Sequence, residues 1–455
     1  NLAARKLAIT GGRVIDPKQG FDGLADVLIS GDVIEDVTSC SSMESYEDYE
    51  VVNASGKIVA PGFVDLHTHL RDPGQEWKET ILSGTRAAAH GGFTTVCAMP
   101  NTDPVQDSAA VVDDVTRRAS HYGLIRVLPI GAISKGQKGK HLSPMGELAD
   151  AGVIGFSDDG NPVSDANLMR QALSYSVGLG LPIINHAEEK QIAAGGVMSA
   201  GRVATRLGLA GMPVEAESVM VSRDLDLADL EGARLHIPHI STIGSLIALR
   251  SAKERGVDVT AEVTPHHLTL NDDWVFGLHG DVPDAVGLEA YDTNTKVNPP
   301  LRSPDHVNAV IEALSEGLID VIATDHAPHA VTDKACTYNE AAYGINVLET
   351  AFSSVFALVD AGKVSINRLI ESLTSGPAGI LNKDIGTLTK GYSADVAIID
   401  LGKKWVVVPE KFESKSTNSP LSGLELKSRV IITIYRGEIV FSLAGHLPET
   451  HGADR

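Results

Sequence analysis

Between residues 62 and 324 the chain alternates apolar runs of strand length with longer segments whose apolar residues recur at helical spacing. Eight such runs stand out: GFVDL (62–66), FTTVCAM (93–99), RVLPI (126–130), GVIGFS (152–157), LPIINH (181–186), RLHIPHI (234–240), VDVTAEV (257–263) and IDVIAT (319–324). Between them, segments such as ETILSGTRAAAHGG, DANLMRQALSYSVGLG and TIGSLIALRSAKERG carry one apolar stripe and end in glycine, a usual helix stop. The alternation predicts βα units on a parallel sheet. Eight of them close a (β/α)8 barrel, whose C-terminal strand ends share one mouth.

The two ends of the chain read differently. KLAITGGRVI, ADVLISGDVIEDV and VVNASGKIVA near the start, and GTLTKGYSADVAIIDL, KKWVVV and RVIITIYRGEIVF near the end, are β-type runs broken by Gly, Asp and Pro. They predict an α/β protein in which residues 1–60 and 382–455 pair as one small β-sandwich domain flanking a barrel of residues 61–381. The acidic stretch SSMESYEDYE (41–50) is expected to be a solvated loop.

Composition narrows the function classes. No apolar run in the 455 residues approaches the roughly 18 to 20 residues of a membrane span, so no membrane role is expected. A formal charge of −21 argues against nucleic-acid binding, which needs a basic face. It leaves room for a small anionic substrate, because an arginine or a metal centre can override the global field. Cys40, Cys97 and Cys336 are too few and too scattered for a disulfide scaffold or a thiolate metal site. Together with a start that lacks a secretory pattern, they point to the cytoplasm.

A barrel gathers the polar residues at its strand ends however far apart they lie in sequence. His67 and His69 follow the first strand, Asp158 and Asp159 the fourth; His186 ends the fifth, the sixth carries His236 and His239, and Asp325, His326 and His329 follow the eighth. In HTH the two histidines are two residues apart, so on extended backbone both point the same way. Imidazole and carboxylate donors suit Zn2+ and its neighbours.

PGFVDLHTHLRDPG, GGFTTVCAMPNT, GFSDDG, NHAE, HIPHIS, KVNPPLR and ATDHAPH together resemble the amidohydrolase superfamily and, in detail, its type I dihydroorotases. The resemblance implies that His67, His69 and Asp325 hold one metal ion, His186 and His239 a second, and that one group bridges them. In many amidohydrolases that bridge is a carbamylated lysine. No lysine stands between Lys140 and Lys190 here, so a carboxylate must replace it. Asp158, the first residue after the strand, is the expected bridge, with Asp159 turned to the other side. The resemblance further implies Zn2+, one or two ions per chain, with Asp325 as the catalytic base. It implies reversible hydrolysis of L-dihydroorotate to N-carbamoyl-L-aspartate in pyrimidine synthesis, a homo-oligomer, and a complex with aspartate carbamoyltransferase.

Specificity is expected from Arg71, whose planar fork can grip a carboxylate. The resemblance adds Asn101, Asn298 and His329 to it. The loop 327–346 is long for a βα connection and is expected to cover the substrate, with backbone groups near Tyr343 and Gly344 reading the ring. Uncharged cyclic ureides, the substrates of hydantoinases and allantoinases, offer nothing for such an arginine to hold. A non-catalytic scaffold would be expected to have lost ligands. His236, His266, His267 and His326 are expected to support or pack, and Cys97 to fill space. His90, His121, His141, His279, His306, His446 and His451 are expected at the surface.

Overall fold

The computed structural model describes residues 5–40, 46–277 and 289–444. His279, His446, His451 and residues 41–45 of the acidic stretch lie outside the described residues. From that stretch, Glu47, Asp48 and Glu50 are exposed, while Tyr46 is buried and donates to Asp26 Oδ2 at 2.8 Å.

Eight parallel strands form the barrel: β1 (Phe63–Thr68), β2 (Phe93–Ala98), β3 (Arg126–Pro129), β4 (Phe156–Ser157), β5 (Ile183–Ile184), β6 (Leu235–Ile237), β7 (Val259–Val263) and β8 (Val321–Ile322). Each pairs with the next, β3 with β4 through a Gly131–Phe156 bridge, and a Thr68–His326 bridge closes the ring. Several strands are shorter than the apolar runs that announce them. At β5 the ladder begins at Ile183 because Pro182 has no N–H to give.

The three helical segments singled out above form Ile81–His90, Ala166–Leu179 and Ile243–Glu254. Each starts on a side-chain cap: Thr80 accepts from Ser83 N, Asp165 from Asn167 N and Leu168 N, Thr242 from Ser245 N. Outward strand residues such as Phe93, Phe156 and Ile183 join these helices in one large core. A second cluster unites Val64, Leu66, Cys97, Met99, Ile130, Ile184, Val321 and Ala323, and Cys97 is fully buried within it. His306, expected at the surface, is half-buried and accepts from Ile243 N at 3.0 Å.

Both chain ends meet in one eight-stranded sheet, because Val396–Val406 runs antiparallel to Ile58–Pro61. The sheet encloses its own apolar core of Leu7, Ile9, Val27, Ile34, Val396, Ile398 and Ile434. Its other face, including Ile58, Ala60, Val430 and Phe441, belongs to the barrel's core. Between Val406 and Glu425 the chain leaves this sheet, and residues 414–418 bond to the loops that follow β1 and β8. No helix among the described residues is long and apolar enough to cross a membrane.

Candidate active site

His67 and His69 leave the end of β1 with their tautomers fixed from behind. His67 Nδ1 donates to Glu262 Oε1 at 2.6 Å, and His69 Nδ1 to Asn101 Oδ1 at 2.9 Å. Both Nε2 lone pairs therefore face the mouth. His67 Nε2 lies 3.2 Å from Asp325 Oδ1 and 3.6 Å from Asp159 Oδ2; His69 Nε2 lies 3.1 and 3.2 Å from the same two oxygens.

The other oxygen of Asp159 faces the second pair of histidines. Oδ1 is 3.4 Å from His186 Nδ1 and 3.6 Å from His239 Nε2, and these two nitrogens are 2.9 Å apart. Behind His186, Nε2 is 3.4 Å from Glu188 Oε2. The expected order of the two aspartates is thus reversed. Asp158 turns sideways, accepting from Ile133 N at 2.8 Å, from Ser134 N at 3.0 Å and from the Ser134 hydroxyl. The reason is strand parity: Phe156 packs outward against the helices, so Ser157 and Asp159 share the inward side and Asp158 does not.

These spacings test whether a metal would fit. Ligands about 2.0–2.1 Å from a tetrahedral ion lie about 3.3–3.4 Å from one another. The Nε2 and Oδ separations of 3.1 to 3.6 Å bracket that value. His67 Nε2 and Asp159 Oδ1 are also buried polar atoms without a hydrogen-bond partner. Two donor sets could hold ions: His67, His69 and Asp325 on one side, His186 and His239 on the other, with the two oxygens of Asp159 between them.

The electrostatics agree. Burial opposes a charged imidazole, yet Asp325, Asp159 and Glu262 outweigh it and push His67 well above its ordinary pKa. His186 is pushed up to about 10 in the same way, against burial, by Asp159 and Glu188. Burial also works against the Asp159 and Asp325 charges, and the surrounding histidines overcome it and hold both carboxyls below the carboxylate range.

Backbone strain concentrates here. Arg71, His239 and Asp325 adopt φ of 62°, 33° and 47°, a region costly for side chains other than glycine. Arg71, Asn101, Asn298, His329, Tyr343 and Gly344 line one cavity of about 170 Å3, with His69, Asp159, His186 and Asp325 also on its wall. The Arg71 guanidinium is almost wholly buried; burial lowers its pKa to about 10, so it stays charged at neutral pH. Asn298 donates to Glu188 Oε2 at 2.5 Å.

Two participants had no place in the sequence reading: Glu262 and Glu188. Glu262 also accepts from His236 Nε2 at 2.9 Å, so His236, expected to support or pack, belongs to the same buried network. The only signal for Glu262 was a lone carboxylate inside an apolar run. His267 bonds Thr264 and Pro299 O, and His266 is buried beside it.

A closed barrel with four histidines and two carboxylates at its mouth defines a metal-dependent amidohydrolase. An Amidohydrolase family model matches residues 214–441, and a Dihydro-orotase-like model matches residues 56–245. The chain belongs to the dihydroorotase family: it is 49% identical over 434 residues to the dihydroorotase of Anaeromyxobacter dehalogenans strain 2CP-1, covering 95% of this chain and 97% of that one. The dihydroorotase of Geobacter metallireducens is 46% identical over 435 residues, covering 96% and 99%. Among solved structures, the L-hydantoinase (dihydropyrimidinase) from Arthrobacter aurescens superposes with a TM-score of 0.83 at 25% identity, covering 96% of each chain. The dihydropyrimidinase from Brevibacillus agri NCHU1002 gives 0.80 at 22% identity, over 96% of this chain and 95% of that one; these two share the fold.

Proposed function

We propose that this protein interconverts L-dihydroorotate and N-carbamoyl-L-aspartate in pyrimidine synthesis. The observation that carries the reading is the shared cavity: Arg71, a buried cation able to grip a carboxylate, opens onto the same small space as Asp159, His186 and Asp325. A neutral ureide would bring no countercharge to that buried guanidinium, whose hydrogen bonds here go only to the Pro328 carbonyl and His329. This favours a substrate with a carboxylate over the hydantoinase alternative. The non-catalytic scaffold reading is disfavoured by a complete donor set.

His67, His69 and Asp325 would hold one zinc ion, His186 and His239 a second, with Asp159 rather than Asp158 between them. Zinc bound there supplies an acidified water and a Lewis acid for the amide carbonyl. Asp325, held ionised among the histidines, accepts the proton during hydrolysis and returns it to the departing ring nitrogen. Arg71, Asn101 and His329 orient the substrate carboxylate, and Asn298 and the backbone at Tyr343 and Gly344 meet the ring. In the reverse direction Asp325 is the acid. Cyclisation condenses one of the two carboxylates with the ureido nitrogen, releasing water and consuming a proton, so mildly acidic pH favours it.

Cys40, Cys97 and Cys336 are free, which supports a reducing compartment such as the cytoplasm. A homo-oligomer, and a complex with aspartate carbamoyltransferase, fit the family and are tested by solution mass with and without that enzyme. The decisive experiment couples metal analysis to assays in both directions. Metal-loaded protein should convert both compounds, and Asp325→Asn should lose turnover while keeping its fold. No conversion by metal-loaded wild type would end the reading.

A further inference from the structure

The segment 413–418 comes from the C-terminal part of the chain, yet it reaches the backbone behind the cavity. Asn418 is buried, and its side-chain amide is fully used: Oδ1 accepts from His329 N at 3.1 Å, while Nδ2 donates to Ala327 O and Gly344 O, both at 3.0 Å. Its own carbonyl accepts from Asn346 N at 2.9 Å. One side chain therefore ties the outgoing limb of the 327–346 loop to its returning limb.

The neighbouring residues fix this clasp in place. Asn346 Nδ2 donates to Ser416 O at 2.6 Å, and Ser416 Oγ to Lys78 O at 2.6 Å. Ser414 Oγ and Lys415 N donate to buried Glu79 at 2.5 and 3.1 Å. Glu79 in turn accepts from His326 Nε2 at 3.2 Å, because His326 Nδ1 is occupied in accepting from Val347 N.

The limbs joined by Asn418 carry the specificity groups. Arg71 Nε donates to Pro328 O at 3.2 Å, so the guanidinium rests on backbone that Asn418 holds on both sides. His329 Nε2 is 2.8 Å from Tyr343 O, a second tie between the limbs. At Gly344, with φ of 147°, a Cβ would stand 2.7 Å from Ala327 O; the limbs meet there with no room for a side chain.

We infer that Asn418 is a positioning residue for substrate recognition, setting the register of the Arg71 and His329 groups through the backbone of residues 327–344. The inference rests on the reading given under Proposed function. It separates recognition from chemistry, because Asn418 makes no contact with His67, His69, Asp159, His186, His239 or Asp325 among its hydrogen bonds.

The test uses metal-loaded wild type, Asn418→Ala and Asn418→Asp. In Asn418→Ala, KM for dihydroorotate should rise about 10- to 100-fold, as a small misplacement of binding groups costs, with metal content kept and kcat changed far less. Amide exchange should quicken in 327–346 and not in the barrel strands. Asn418→Asp should be worse than alanine, since it sets a carboxylate oxygen against two carbonyls; that order would not follow from lost packing. If alanine does not fold, Asn418→Ser, which keeps a hydroxyl able to donate to one of the two loop carbonyls, carries the same readouts. Wild-type KM with unchanged loop exchange, or a loss of kcat and metal at unchanged KM, overturns the inference. Should wild type fail to turn over dihydroorotate, the functional reading falls, and loop exchange alone still decides whether Asn418 clasps the loop.

Discussion

Glu262 Oε1 accepts from His67 Nδ1 at 2.6 Å across 195 residues of sequence, inside the barrel and away from solvent. Burial opposes its charge, but His67 and His236 hold its pKa down at about 2. The carboxylate orients the ring and raises the basicity of Nε2. Such partners behind a metal ligand are typically worth about 10- to 100-fold in metal affinity. Glu262→Gln should lose affinity in that range by chelator competition, with the barrel still folded. An unchanged affinity would reduce Glu262 to packing.

The two adjacent aspartates should separate cleanly. Asp159→Asn removes the carboxylate between the donor sets, and metal analysis should find less than the wild-type complement together with near-complete loss of turnover. Asp158→Asn should keep its metal, because its oxygens serve Ile133 and Ser134. Its cost should appear in unfolding, at about 1–3 kcal/mol for a disturbed buried acceptor. The opposite pattern would restore Asp158 as the bridge.

What was legible in the sequence followed from periodicity. Eight apolar runs with helical segments between them announce the barrel, and the HTH spacing places His67 and His69 together whatever the rest of the chain does. Arg71 was legible because it closely follows that motif. Asp159 was misplaced because β4 is only Phe156–Ser157, too short for parity to be read from the apolar run before it. Glu262 was hidden in a run that looks apolar, its partners distant in sequence. Asn418 was out of reach for a topological reason: it sits in the C-terminal segment, and only the packing of the end sheet on the barrel brings it to the loop.

Arg71→Lys keeps the positive charge and removes the fork. Lysine cannot donate to Pro328 O and hold a carboxylate in the same plane. A charged hydrogen bond is worth about 1.5–3 kcal/mol, so KM for dihydroorotate should rise about 10- to 150-fold while metal content stays constant. Steady-state kinetics in both directions measure this, and an unchanged KM would mean that another group receives the carboxylate.

Metal removal should couple to pH with a definite sign. In the metal-free chain His67 and His186 have pKa values above the unfolded value of about 6.5, His186 at about 10. A folded state that binds extra protons is stabilised below the unfolded pKa and loses that stabilisation as pH rises through the folded one. The metal-stripped protein should therefore lose stability between about pH 6.5 and 10. Bound metal replaces the protons and should remove most of this dependence, so the Tm gain from metal should widen as pH rises, and metal affinity should weaken as pH falls. Thermal unfolding with and without chelator at about pH 6, 8 and 9.5 tests both trends. A gain independent of pH would mean that the histidines of the mouth do not exchange protons for metal, and the two donor sets would have to be reassigned.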